Sequence, residues 1–234
     1  MRLSRQIEKI EKKEKKAAFG RWRKGYCTEY VRLLKRTRSS ARRRFDHELA
    51  EHGETITCRE RCTHCCHHYL TVSLAQGIVI VDYLYRNRDI MRRFLGNYEQ
   101  WAQRASELAA EIDGVRTQAL ASAVPIEQII IQTRPLAERY FGAAIPCPFL
   151  VEDRCSIYSV RPTACSSHVA VSEPARCAAD AVEKPDIRKV SLSDDELINL
   201  SRLADPRLML FELTLPVMIF RLLTEGGETL MREV

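Results

Sequence analysis

Four cysteines fall within one short segment of this chain and restrict what that segment can form. The segment reads C-R-E-R-C-T-H-C-C, with thiols at Cys58, Cys62, Cys65 and Cys66. Thiolates packed this closely repel one another and oxidise easily unless a soft cation binds them. Because the segment has neither helical nor strand periodicity, we expect a loop that leads into a helix.

A second group of cysteines follows after a long intervening segment, at Cys147, Cys155, Cys165 and Cys177. Two separated groups are typical of a metal or iron-sulphur site that is assembled across a fold. We therefore predict that the two groups meet in space around metal. The ninth cysteine, Cys27, stands apart and is not expected to take part.

Eight cysteines leave more than one ligand arrangement open. Zinc and a four-iron cluster each take four thiolates, so the eight thiols would fill two sites or leave some unligated. Adjacent cysteines point in different directions in any regular backbone, so Cys65 and Cys66 serve different sites, or one ligates while the other packs. Burial as small apolar side chains is the alternative for Cys66 and Cys177.

The chain ends and the apolar segments favour a soluble cytoplasmic protein. The N-terminus, MRLSRQIEKIEKKEKK, has no apolar core and no small-residue cleavage site, so it is not a secretory signal. The longest apolar stretch, 208–223, is interrupted by Glu212, Pro216 and Arg221 and is too short for a membrane span. In a reducing cytoplasm, clustered cysteines bind metal more often than they form disulfides.

Charge is distributed unevenly along the chain. Residues 1–44 contain 17 Lys and Arg against 4 Glu, whereas the formal net charge of the whole chain is only +6. A basic segment with interleaved aromatic residues such as Trp22, Tyr26 and Tyr30 is a possible binding site for an anionic partner, either nucleic acid, the ribosome or an acidic protein. A solvated helix face is the simpler interpretation.

Apolar periodicity predicts a mostly helical protein. A helical stripe covers residues 3–17, a long helix runs from Gly20 to about His52, and another runs from Asp89 to about Asp113. Ser73 with Gln76, and Ser193 with Glu196, have the spacing of capping boxes. Shorter helices are expected at 126–133 and 134–141, and a final helix from Asp205-Pro206 to Gly226-Gly227.

The second cysteine group includes a candidate hairpin. Residues 149–151 and 156–158 resemble two short strands around a Glu-Asp-Arg turn, and Pro162 suits the first turn of a helix that carries Cys165. We therefore predict a mostly α fold: a helical domain with a small β-hairpin and irregular cysteine-bearing loops around a metal site. The expected division is a basic helical extension (1–52), a cysteine-cluster domain (53–185) and C-terminal helices that pack on it (186–234).

The cysteine pattern resembles that of the YkgJ-type cysteine-cluster family, described as a zinc- or iron-chelating domain. The resemblance covers 58–177 and includes C-x3-C-x2-C-C, Cys147-Pro148, Ile157-Tyr158 and Arg161-Pro162-x2-Cys165. Ser166 departs from the basic residue that relatives often have after that last cysteine. The resemblance implies bound Zn²⁺ or iron, including a [4Fe-4S] cluster, with all eight clustered cysteines as candidate ligands.

A distant branch of that family is similar to iron-sulphur-dependent protein lysine methylases, so a methylase-like or redox enzyme is the alternative function. No glycine-rich nucleotide loop is recognisable here, and no catalytic residues can be assigned. Thiolate ligands bring negative charge, which Arg59, Arg61, Arg154 and Arg161 are positioned in the sequence to offset. The four nearby histidines, His64, His67, His68 and His168, are interpreted as neighbours of the site and not as ligands. His168 is the first of them to test.

Overall fold

The computed structural model describes residues 20–59, 61–201, 208 and 211–232. Helices dominate this part of the chain, and short strands form three two-stranded antiparallel sheets. The predicted fold class, mostly α with a small β-hairpin, is confirmed. The helical stripe predicted for residues 3–17 lies outside the described residues.

The helices and strands have the following bounds. The helices are α1 (Gly20–Glu51), α2 (Leu74–Arg86), α3 (Arg88–Ala121), α4 (Ile126–Gly142), α5 (Ala164–Ser167), α6 (Asp194–Ser201), α7 (Leu215–Thr224) and α8 (Gly227–Met231). Strand pairs are β1 (Thr71–Ser73) with β6 (Glu212–Thr214), β2 (Leu150–Val151) with β3 (Arg154–Cys155), and β4 (His168–Ala170) with β5 (Ile187–Lys189). Short 3-10 turns occupy His64–His67, Tyr158–Val160 and Pro174–Cys177.

Helix α1 confirms the long helix predicted from apolar periodicity. One side of the helix is buried, because apolar residues recur every three or four positions and share a face. Gly53 has a φ of +68°, a conformation that favours glycine and that follows the end of the helix. The buried side chains are Tyr26, Cys27, Tyr30, Leu34, Thr37, Ala41, Phe45 and Leu49.

Helices α1, α2 and α7 and the first turns of α3 share the main hydrophobic core. Ser73 caps α2 by accepting a hydrogen bond from the N–H of Gln76, as the capping box predicts. Helices α2 and α7 approach so closely that a Cβ added to Gly77 would lie 2.8 Å from side-chain carbons of Leu222 and Met218. The glycine therefore allows the contact that covers the inner face of α2.

Helices α3 and α4 pack together as a long pair beside this core. The indole N–H of Trp101 donates to the hydroxyl of Tyr140 over 2.7 Å. Helix α3 extends to Ala121, eight residues beyond the predicted end. Its last turns are held by long-range contacts, since buried Asp113 accepts hydrogen bonds from Thr214 and Tyr69.

Two predicted short helices are one continuous helix, so the predicted break before Arg134 is wrong. Pro135 lies inside α4, where it removes one backbone donor without ending the helix. The hydroxyl of Thr133 donates to the carbonyl of Ile129 over 2.8 Å, and Ile129 itself is fully buried. Packing against α3 therefore outweighs the local cost of the proline.

The predicted hairpin is present, but its second strand begins earlier than predicted. Glu152 and Asp153 both have positive φ angles, of 49° and 57°, as a two-residue type I′ turn requires. Such a tight turn pairs Leu150 with Cys155, so residues 157–158 lie beyond the sheet. The predicted second strand at 156–158 is therefore corrected to Arg154–Cys155.

The C-terminal region differs from the single predicted helix. Strand β6 pairs with β1 and interrupts the stretch, so α7 begins at Leu215. Gly226 has a φ of +91° and separates α7 from α8, near the predicted helix end. Residues 202–207, where the helix start was predicted, lie outside the described residues.

The three-part domain division stays a prediction. Tyr26, Tyr30 and Leu34 of α1 share a core with residues of α2 and α7, so residues 20–51 are packed on the rest of the fold. Across the described ranges, none of the helices is both long enough and apolar enough to cross a membrane.

Candidate metal centre

The two cysteine groups are in direct contact. The backbone N–H of Cys147 donates to the carbonyl oxygen of Cys66 over 2.8 Å. This bond ties the 3-10 turn His64–His67 to the segment that leads into the β2–β3 hairpin. The predicted meeting of the two groups in space is therefore confirmed, while metal binding there stays a prediction. All nine cysteines lie in the described residues as free thiols.

The hairpin and α5 place the thiols of the second group near the first. The N–H of Leu150 donates to the carbonyl of Cys147 over 2.8 Å, and Leu150 is paired with Cys155. Cys165 lies in α5, where its N–H donates to the carbonyl of Pro162. Cys147 and Cys155 also pack against the main core, so one side of the site is lined by apolar residues.

Burial makes these thiols hard to ionise in the absence of a cation. Burial raises the pKa of Cys147 to about 12, and the neighbouring Cys155 and Cys65 add to the shift. Burial likewise raises the pKa of Cys165, and the neighbouring thiols of Cys147 and Cys155 add to the shift. These mutual effects mean that the thiols are close enough for one thiolate to disfavour the next.

The adjacent thiols of Cys65 and Cys66 shift each other's pKa in opposite directions. A hydrogen bond with Cys66 lowers the pKa of Cys65, and the nearby Arg161 guanidinium acts in the same direction. The same bond raises the pKa of Cys66, which is further raised by burial. Cys65 is thus the thiol of the pair that ionises first, as expected for the donor-acceptor arrangement.

The remaining thiols lie toward the surface. Cys58 is exposed, and its sulphur accepts the backbone N–H of Ala170 at 3.2 Å. Burial raises the pKa of Cys177, and the neighbouring thiols of Cys58, Cys62 and Cys65 add to that increase. The turn Pro174–Cys177 contacts the turn His64–His67, so Cys177 lies beside the first cysteine group.

Arg161 is the predicted basic residue that the structure places among the thiols. Its positive charge lowers the pKa of Cys65, opposes the increase at Cys155 and does the same at Cys165. The guanidinium lies over the ring of Tyr158, with its central carbon 4.1 Å from the ring centre. Arg59 opposes the raised pKa of Cys62 in the same way.

Arg38 of α1 is a site residue that the sequence analysis missed. It donates from Nη2 to the carbonyl oxygen of Arg161, and its Nε is buried without a hydrogen-bond partner among the described residues. Burial and the neighbouring Arg161 lower the pKa of Arg38, while Cys165 opposes that decrease. The sequence feature that could have identified Arg38 is its position at the edge of the apolar stripe of α1, beside Leu34 and Ala41.

The histidines lie around the thiols. His68 stacks on Phe141 with ring centres 3.9 Å apart, and desolvation together with His67 and His168 lowers its pKa. His168 is exposed at the start of β4 and shares a 3.0 Å hydrogen bond with the hydroxyl of Ser167. Cys27 is fully buried in the main core, with its thiol directed to the carbonyl of Ile78, as its isolation in the sequence predicts.

Within the described ranges, no three His, Cys, Asp or Glu side chains have donor atoms arranged to hold one metal ion. The donor set nevertheless suits a soft cation, because eight thiols and two guanidinium groups converge on one region. Cysteine side chains have three staggered rotamers, so their sulphur atoms can be redirected without moving the backbone. Metal binding at this cluster requires such rotations.

A scan against protein-family models and searches of the curated proteins and of the solved structures returned no match to this chain. The resemblance to the YkgJ-type family therefore stays a prediction that rests on the cysteine pattern.

Proposed function

We propose that this chain is a metal-binding cysteine-cluster protein that holds zinc, iron or an iron-sulphur cluster through its eight clustered thiols. The hydrogen bond from Cys147 to Cys66 carries the proposal, because it joins two groups that are far apart in the sequence. The proposed ligands are Cys58, Cys62, Cys65, Cys66, Cys147, Cys155, Cys165 and Cys177.

Electrostatics supports a bound cation at this position. Buried thiols with raised pKa values remain protonated in water, whereas a coordinating cation replaces their protons and makes thiolates favourable. Arg38 and Arg161 supply positive charge that would offset the excess negative charge of a four-thiolate centre. No carboxylate forms an ion pair with either arginine among the described residues, so thiolates are their available counter-charges.

The location and chemistry follow from the same proposal. Free thiols persist in a reducing compartment, so we place the protein in the cytoplasm. Zinc would make the site structural, whereas an iron-sulphur centre would allow the alternative, a methylase-like or redox enzyme. The two outcomes differ in colour, because sulphur-to-iron charge transfer absorbs visible light and zinc thiolates do not.

Anaerobic purification followed by elemental analysis and an absorption spectrum tests the proposal. We expect bound zinc or iron in the purified full-length chain. Colourless protein with zinc would support the structural reading, and visible absorption with iron would support the enzyme alternative. Protein that contains neither metal, and that takes up neither when each is added under reducing conditions, would overturn the proposal.

A second candidate function is nucleic-acid binding along the exposed face of α1. Four basic side chains on this helix are exposed and form no ion pair with a described residue: Lys24, Lys35, Arg36 and Arg43. At 3.6 residues per turn they fall within about a third of the helix circumference, opposite the buried stripe. Such a row of positive charge suits contacts with a phosphate backbone.

Charge-removing variants test this second candidate. Arg36→Gln and Arg43→Gln should each weaken binding to a mixed-sequence nucleic-acid duplex and lower the salt dependence by about one phosphate contact. Arg93→Gln, an exposed basic residue on α3, is the matched control and should leave binding unchanged. Equal effects of all three variants would indicate general charge attraction and would contradict a site on α1.

A further inference from the structure

We infer that Arg38 and Arg161 form a binding site for a phosphate group, beside the exposed ring of Tyr158. The site lies where α1 passes the segment that joins the β2–β3 hairpin to α5. The ligand class is a phosphate, either free or carried by a small aromatic ester. This inference goes beyond the proposed metal-binding function and does not depend on it.

The fold holds the two arginines next to each other. Nη2 of Arg38 donates to the carbonyl oxygen of Arg161, which lies 123 positions away in the sequence. Burial lowers the pKa of Arg38, and the neighbouring charge of Arg161 lowers it further. Like charges that are held together and partly buried are unfavourable unless an anion compensates them. An anion bound to both guanidinium groups would offset the desolvation and the repulsion.

Neither arginine has a carboxylate partner in the part of the chain that the structure describes. The ion pairs of the fold use other basic residues, and Asp and Glu are absent from the charged neighbours of Arg38 in this part. Its acidic neighbours include Cys165, whose pKa is raised by burial, and Tyr30, whose pKa burial raises to about 12. Both groups are therefore neutral at pH 7 when no metal is bound.

Hydrogen-bond donors remain available on both side chains. The half-buried side chain of Arg161 lies over the ring of Tyr158 and donates to none of the described residues. Arg38 uses Nη2 for its bond to Arg161, its Nε is buried, and its Nη1 has no described acceptor. A guanidinium presents parallel N–H donors at the spacing of two phosphate oxygens, so this pair can bind several oxygens of one phosphate.

The charge of the pair suits phosphate better than a carboxylate. Two guanidinium groups carry a charge of +2, and a phosphate monoester carries about −1.5 to −2 at pH 7 with three strong acceptor oxygens. Metal binding at the cysteine cluster would convert nearby thiols to thiolates, which would compete for the same positive charge. Metal and phosphate should therefore weaken each other's binding, and the metal-free chain should bind phosphate more tightly.

Calorimetric titration of the reduced, chelator-treated full-length chain tests the inference, with inorganic phosphate as the probe. We expect saturable binding that Arg38→Gln and Arg161→Gln each weaken about 10-fold or more, because each removes charge-assisted hydrogen bonds. Arg161→Lys keeps the charge without the paired donors and should also bind less tightly. Arg93→Gln, at an exposed position on α3, is the matched control and should bind as the wild type does.

Circular dichroism checks that each chain remains helical; if Arg38→Gln does not fold, the two Arg161 variants decide the result. Phenyl phosphate distinguishes the two sources of the ligand. Tighter binding than that of inorganic phosphate would identify an aromatic ester that also contacts Tyr158, and equal binding would identify free phosphate.

Several results would overturn the inference. They are the absence of saturable phosphate binding, equally tight binding of acetate at the same ionic strength, and an equal loss of affinity in Arg93→Gln. A metal-free chain without helical structure would also overturn it, because the site requires α1 to be packed beside Arg161.

Discussion

The backbone N–H of Cys147 lies 2.8 Å from the carbonyl oxygen of Cys66, so residues from the two cysteine groups are joined by a main-chain hydrogen bond. A main-chain bond does not depend on the identity or the protonation of the thiols. It therefore fixes how the loop sits against the hairpin before any ion is bound. In this account, the fold aligns the two groups and a cation then selects the thiol rotamers.

Arg38 is predicted to support metal binding from α1. Arg38→Gln should weaken metal affinity about 10-fold, because it removes positive charge near the thiolates and a donor to the Arg161 carbonyl. Competition with a chromophoric chelator measures the change. Arg36→Gln, an exposed basic residue on the same helix, is the control and should leave affinity unchanged. Equal affinities in the two variants would remove Arg38 from the site.

His168 is predicted to be dispensable for metal binding. Four thiolates complete a tetrahedral site, and His168 is exposed and bonded to Ser167. Elemental analysis of His168→Ala should give the wild-type metal content, as should that of His47→Ala, an exposed histidine on α1. A loss as large as that of a cysteine variant would make His168 a ligand and the site a mixed sulphur and nitrogen centre.

Asp113 is predicted to stabilise the junction between α3 and the β1–β6 sheet. Its carboxylate accepts hydrogen bonds from the N–H and hydroxyl of Thr214 and from the hydroxyl of Tyr69. Asp113→Asn should lower the free energy of unfolding by about 1–3 kcal/mol, because the amide nitrogen that replaces one carboxylate oxygen cannot accept the bond from the N–H of Thr214. Urea unfolding measures the change, and an unaltered midpoint would contradict the assigned role.

The contribution of Asp113 should also depend on pH. Burial raises the pKa of Asp113 above its ordinary value of 3.8, and bonds from Thr214 and Tyr69 partly oppose the shift. The folded state then binds the proton more tightly than the unfolded state, so the contribution decreases as pH rises through the folded pKa. The stability difference between wild type and Asp113→Asn should therefore be larger at about pH 4 than at pH 7. The opposite trend would show that the folded state favours the ionised form of Asp113 over the protonated form.

Residues 1–20 are predicted to be separable from the metal centre. They contain no cysteine and are rich in Lys and Arg, so their deletion should leave the metal content unchanged. Retention on an anionic matrix should weaken, and the difference should shrink as salt screens the charge. A truncated chain without its metal would show that this segment is needed for the site.

Much of the helical scaffold could be predicted from local patterns. Helix α1 follows from its apolar period, and Ser73 and Ser193 cap helices at the predicted positions. The predictions failed where long-range contacts outweigh local preference. Pro135 remains inside α4 because the helix packs on α3, and strand β6 exists because β1 pairs with it.

The cysteine set could be found from the sequence, but its surroundings could not. Spacing identifies clustered thiols without showing which of them face each other, since that depends on how the hairpin lies against the loop. Arg38 is separated from Arg161 by 123 residues in the sequence, and the packing of α1 brings them together. The sequence predicted only a loop at the first cysteine group, whereas Cys65 and Cys66 lie in a 3-10 turn.

The most direct test compares the metal content of Cys62→Ser and Cys165→Ser with that of Cys27→Ser, all purified anaerobically as full-length chains. Cys27 is the matched control, because it is buried outside the cluster and a serine hydroxyl can donate to the same carbonyl of Ile78. We expect that Cys62→Ser and Cys165→Ser both lose metal and unfold at lower temperature, while Cys27→Ser keeps its metal. Wild-type metal content in both cluster variants would contradict a metal centre built from the two cysteine groups.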